Sequence, residues 1–185
     1  MKQMFKWLLF ISSYAPLYIL IALDNYNFKL APINYFKSVM QSNQLLLFWI
    51  VVICLLILSI LAISYFSWIS LNDERTLTKL VPLNESVLSY LITYVIPLTA
   101  MDITSINSLI VNTILFIVIG LVYVNSDLVY LNVILIIMGY RIYNDESENV
   151  IITNYSKNDI KISIVEQTSL PCAEVTKGIY LLRKP

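Results

Sequence analysis

Few side chains in this sequence are equipped for catalysis. Histidine is absent, which removes the commonest general base and a usual metal ligand together. Cys54 lies in a long apolar run and Cys172 in a polar tail, with no CxxC or ligand spacing. No GKS/T phosphate loop, GxGxxG, HExxH or GxSxG motif occurs. Neither an enzyme nor a bound cofactor or metal is expected. What remains are uncharged polar groups inside apolar segments. On a helix, Ser86, Ser89, Tyr90, Thr93 and Pro97 share a stripe roughly 100° wide, because spacings of three, four and seven residues return to one face. Ser105, Ser108 and Asn112 do the same in the segment that follows. In lipid such faces turn inward, where hydroxyl and amide groups find partners. They suit contacts within a bundle or between subunits, with Asn112 the best placed to be shared. A lined pore or a movable switch is the sharper alternative. Apart from Lys6, at the start of the first span, no Asp, Glu, Lys or Arg lies inside a span, and such charges commonly mark ion pathways and proton relays, so a dedicated transporter is not expected.

The elements that must hold these groups read as membrane helices. Of 185 residues, 58% are apolar and 13% charged, too greasy for an ordinary soluble domain of this size. The expected fold class is an all-α polytopic membrane protein with four transmembrane helices and a small, β-rich, C-terminal cytoplasmic tail. The spans fall at about 4–23, 45–68, 86–101 and 103–124. The first competes with a signal peptide, but no small-x-small cleavage site follows it, which favours a retained helix that Pro16 kinks. The second is uncharged throughout. With both termini inside, Lys2, Lys6, Arg75, Lys79 and Arg141 are cytoplasmic and Lys29 and Lys37 outside, a bias of five to two in the usual direction. Twelve basic residues balance twelve acidic ones, so no direct nucleic-acid contact is expected.

Between the spans and the tail stands "YLNVILIIMGYRIYND". Its apolar part, from Leu131 to Tyr140, rises only roughly 15 Å as a helix, about half of a hydrocarbon core. It reads as a half-crossing or interfacial segment, with Tyr140 and Tyr143 suited to headgroups. The chain then divides into a bundle (1–127), a membrane-interface junction (128–143) and a tail (144–185). Gly139, Tyr140, Arg141 and Tyr143 are the junction candidates, and Gly139 is read either as a hinge or as a site of close backbone packing. "NVIITNYS", "DIKISIVEQ" and "KGIYLLRK" read as strands of a small antiparallel sheet, whose edge at 178–182 is free to pair with another chain. The loop between the first two spans sets Ile33, Phe36 and Met40 at helical spacing. It is either an amphipathic helix on the outer leaflet or a plain connection. Asp73, Glu74 and Arg75, in the inner loop, read as a solvated face.

Three stretches in this order carry a resemblance: Ser13-Tyr-Ala-Pro-Leu17 in the first helix, "NESVLSYLITYVIPL", and "YLNVILIIMGYRIYN" ahead of a strand-rich tail. Together they resemble the KwaA family, the membrane subunit of the Kiwa anti-phage defence system. Asn132 is followed by Val133 where the family pattern has proline. The resemblance implies a homo-oligomer, a tetramer in the family, in the bacterial inner membrane. It also implies that this oligomer senses phage arrival and works with a soluble DNA-binding partner, KwaB. The residues themselves leave open a sensor-scaffold, a pore-forming effector, or a small immunity or accessory protein.

Overall fold

A computed structural model of the chain describes residues 2–83, 102 and 105–184. The expected third span, at 86–101, lies outside the described residues, and with it Ser86, Ser89, Tyr90, Thr93 and Pro97. The chain opens with α1 (Lys2–Ser13) and α2 (Ala15–Asp24), bent by 42° at the break between them. The bend sits at the expected proline. Pro16 has no N–H to give the helical ladder, and the Ser12 and Ser13 hydroxyls donate back to the carbonyls of Leu9 and Phe10 at 2.9 and 2.7 Å. A short loop leads to α3 (Pro32–Gln41) and then to α4 (Asn43–Ser67), whose N-cap, Ser42, accepts the Leu45 N–H. At 25 residues α4 is about 37 Å long. α5 (Ile106–Asn125) has 20 residues and starts on the Ser105 cap. Thus two described helices are long and apolar enough to cross a bilayer, or three if the bent pair counts as one span.

α1 is the hub of the helical part. Phe10, fully buried, meets the rings of Trp7 from its own helix, of Tyr14 at the break before α2, and of Phe116 and Tyr123 from α5. Gly120 makes that approach possible, because a Cβ there would run into the Trp7 ring.

The loop after α4 is more than a solvated face. It supplies β1 (Asp73–Thr76) and β2 (Val81–Pro82), which become the two edges of a six-stranded sheet. The other strands are β3 (Arg141–Asn144), β4 (Val150–Thr153), β5 (Ser169–Thr176) and β6 (Ile179–Leu182), in the order β1-β5-β6-β4-β3-β2. The β4–β6 pair is parallel and the rest antiparallel, so the sheet is mixed. Parallel neighbours need a crossover. After α6 (Val133–Ile137), which precedes β3, the crossover from β4 to β6 contains α7 (Lys157–Glu166) and β5.

"DIKISIVEQ" was expected as a strand and is largely α7. The deciding feature is a capping box: Ser156 Oγ accepts the Asp159 N–H at 3.1 Å, and Asp159 accepts the Ser156 N–H at 3.2 Å. The residues at 178–182 are not a free edge either, since β6 lies between β4 and β5.

Residues 76 and 81 are five Cα steps apart, at most about 19 Å. Six strands laid flat would separate β1 from β2 by about 24 Å. The sheet therefore curls, and the 77–80 link straps its outer face with Leu77 buried beneath. That face carries Tyr143, Ile151, Cys172 and Leu182 against Tyr155 and Ile160. The inner face, with Ile142, Ile152, Val175, Ile179 and Leu181, joins the core of α1 and α5 without a break.

Candidate functional site: the helix–sheet junction

Three polar contacts fasten the sheet and its approach to the helices. The first is Asn132, which is fully buried. Its Oδ1 accepts the Ile134 N–H at 3.0 Å and so caps α6, as an Asn ahead of an apolar run is suited to do. Its Nδ2 donates to the Leu9 carbonyl at 3.0 Å and to Ser12 Oγ at 2.8 Å. One side chain thereby fixes α6 on the C-terminal half of α1. The second is Asp127, just past the end of α5 in left-handed backbone (φ 54°), a conformation that Asp tolerates better than most residues. It pairs with Lys6 of α1 and accepts from Thr176 Oγ1 of β5 at 3.5 Å. The third is Arg183, after β6. Its guanidinium donates to the carbonyl of Ser67 and, at 2.9 Å, to that of Ile69. These carbonyls lie at and just beyond the C-terminus of α4, the end that favours a cation.

Between these contacts the chain turns tightly. The Tyr123 hydroxyl donates to the Val129 carbonyl at 3.1 Å, closing the reversal after α5. A 3₁₀ turn (Leu128–Tyr130) and the five residues of α6 take up the stretch expected as a half-crossing or interfacial segment. The buried Asn132 breaks that run and folds it back on α1. Gly139 ends α6 at φ +87°, with the Tyr140 N–H on the Leu135 carbonyl and its own N–H on that of Ile136, both at 2.9 Å. This is the Schellman pattern, and it explains the glycine. A Cβ there would meet nothing within 4 Å, so close packing is not the reason.

The other junction candidates separate. Tyr140 is buried edge-on against Phe66 of α4, with ring centroids 5.7 Å apart. Tyr143 is buried on the outer face of the sheet. Both side chains expected at headgroups are thus packed inside the protein. Arg141 is exposed and reaches the Tyr155 carbonyl at 3.5 Å. Ser105, Ser108 and Asn112 do come together, but along the start of their own helix. Ser105 caps α5 by accepting the Ser108 N–H, the Asp102 N–H donates to Ser108 Oγ at 3.0 Å, and Asn112 Nδ2 donates to the Ser108 carbonyl at 2.9 Å.

The strap has its own electrostatic fastening. Arg75 of β1 reaches Asp145 at 2.6 Å and lies over the Tyr180 ring, 3.9 Å from its centroid. Burial alone would raise the Asp145 carboxyl. The Asn149 amide, the backbone N–H groups of Asn149 and Ser147, and the charge of Arg75 outweigh it and hold the group below the usual carboxylate range. Cys172 moves the other way, its thiol pushed up by burial and then by the Asp73 charge.

A family model described as "Anti-phage protein KwaA" matches residues 5–181. The chain belongs to the KwaA family. No curated protein and no solved structure matches it. The match runs from α1 into β6, so the sheet and the junction belong to the KwaA pattern as fully as the helices do. Asn132, Asp127, Lys6 and Thr176 all fall inside it, and Arg183 lies two residues beyond. Asp127, Thr176 and Arg183 carry no signal in the sequence, and Lys6 enters there only as a cytoplasmic charge. The place of Asn132 before "VILII" is a capping signal.

Proposed function

We propose that this anti-phage chain is a sensor and scaffold of the bacterial inner membrane, acting without catalysis of its own. It assembles with sister copies, as a tetramer by family resemblance. Its sheet lies in the cytoplasm together with both termini, where it recruits or activates a soluble, KwaB-like DNA-binding subunit when phage arrives. The membrane reading is supported by the outward apolar faces of α4 and α5, among them Ile57, Ile60, Ile110 and Ile114. The observation that carries the sensor reading is the junction. Asn132, Asp127 and Arg183 tie the sheet and its approach to α1, α5 and α4, so a change in how those helices pack alters the support of the sheet. A stimulus acts through such a joint only if it favours one of two arrangements.

The test is Asp127→Asn, which removes the charge paired with Lys6 and keeps a residue that accepts left-handed backbone. The variant is expected to remain in the membrane fraction and to co-purify with the soluble partner, while phage plating rises to that of cells lacking the system. Full protection by the variant would remove the junction from the mechanism. Cleavage of the sheet by protease added to intact spheroplasts would reverse the orientation.

A further inference from the structure

At the end of α4 remote from the sheet, α3 folds back on it and leaves an open groove of about 420 Å³. On α4 the groove is lined by Leu46, Trp49, Ile50 and Ile53, a stripe that runs about 10 Å along the axis. Tyr35, Phe36 and Val39 line it from α3. Its walls expose almost no polar atom. Trp49 Nε1 donates to the Tyr35 hydroxyl at 3.0 Å, and that hydroxyl donates to the Asn25 carbonyl at 3.0 Å, so both polar groups are already engaged. A polar guest would lose its hydration there for little return, whereas a hydrocarbon loses nothing.

The groove also does not stop at the protein's edge. Phe36 belongs both to its wall and to an exposed stripe with Ile33 and Met40, which are 61%, 72% and 61% exposed. Around the α3 axis this apolar arc is bordered by Lys37, one turn beyond Ile33. Residues 25–42 hold Lys29 and Lys37, both exposed, and no carboxylate. Lys37 lies about 160° round the axis from the groove-lining Tyr35 and Val39. The apolar arc has a cation at its far edge and the oily groove at its near one, which is the pattern of an interfacial helix whose lysines reach up to headgroups.

We propose that the α3–α4 groove holds an acyl chain of a membrane phospholipid whose headgroup lies level with α3. The assignment rests on the membrane reading above and gives α3 a ligand. Seated lipid wedges α3 against the first two turns of α4, so the packing of this hairpin depends on the lipid around it.

The experiment uses the full chain in non-ionic detergent, incubated with dioleoyl phosphatidylglycerol and weighed by native mass spectrometry. Val39→Phe and Ile53→Phe each fill the groove from one wall. Each is expected to lower retained lipid about fourfold or more, the effect of losing one buried methylene. Val51→Phe, on another face of α4, leaves retention unchanged. Carbonate washing of membranes scores the underlying reading separately. If the chain resists carbonate but both groove-filling variants keep their lipid, the groove assignment alone is overturned. Release of the chain by carbonate overturns the membrane reading and the lipid site with it. Efficient disulfide linkage of two chains through Phe36→Cys would give the groove to a second copy and also overturn the proposal.

Discussion

The Asn132 amide makes three hydrogen bonds inside the protein, one within its own turn and two to α1. Asn132→Leu keeps the branched shape and the number of heavy atoms and loses all three. The lost cap is worth about 1 kcal/mol, and the lost donor to α1 a similar amount. Thermal unfolding of the purified chain in detergent is expected to shift down accordingly. Asn132→Ser, which keeps a capping oxygen but falls short of Leu9, should shift it about half as far. Equal shifts would mean that the contacts to α1 alone matter. Gly139 poses a cleaner question, because its surroundings are empty and only its φ is unusual. Gly139→Ala is therefore expected to cost about 1–2 kcal/mol from backbone strain, and Gly139→Asn less, since Asn tolerates the left-handed region. Had the glycine served close packing, Asn would be the worse of the two. The ranking of the two unfolding midpoints decides between them.

At the scale of elements, the strap formed by β1, the 77–80 link and β2 ties both edges of the sheet to the end of α4. Asp145 anchors it through Arg75. Because the folded carboxyl lies below its unfolded value of about 3.9, the stabilisation it gives is fully present above that pH. It is lost as pH falls through the lower, folded value. Unfolding midpoints taken from about pH 6 down to about pH 3 should show the native chain losing more stability below about pH 4 than Asp145→Asn does. Asp159 is also lowered, chiefly by its bonds to Ser156, and contributes a slope of its own, so the difference between the two proteins isolates Asp145. This strap was illegible in the sequence, and the reason is physical. A four-residue edge strand such as "DERT" has no apolar face of its own, and its partner, β5, lies almost a hundred residues away. Long uninterrupted apolarity made α4 and α5 plain, and Pro16 marked the bend. α7 was misread because "DIKISIV" alternates like a strand. Its helix is set by the box between Ser156 and Asp159, which stands just ahead of that alternation. Gly139, Tyr140, Arg141 and Tyr143 marked the right region, but the groups that fasten it are Asn132, Asp127 and Arg183. These act through contacts from distant parts of the chain that no local pattern announces.

For the whole molecule the consequence is that the sheet is not a detachable tail. Its inner face supplies Ile142, Ile152, Val175, Ile179 and Leu181 to the core shared with α1 and α5, and each is buried there. Both of its edges come from the loop after α4, and Leu77 of that loop closes the outer core. A fragment holding only residues 128–185 would lack both edges and the strap, and would present a bare apolar face to water. At under 60 residues it has little other surface to bury against. It is expected to give a collapsed amide spectrum by NMR and to aggregate. Adding residues 69–83 through a flexible linker restores the strands but not the helices, so the inner face stays uncovered and the spectrum should stay poorly dispersed. Well-resolved signals from either fragment would show that the sheet stands alone. The helices could then repack without the sheet sensing it, and the junction would lose its part in relaying a signal. If both fragments fail while the full chain unfolds in a single step, helices and sheet are one cooperative unit, and what perturbs α1, α4 or α5 must be felt at the sheet.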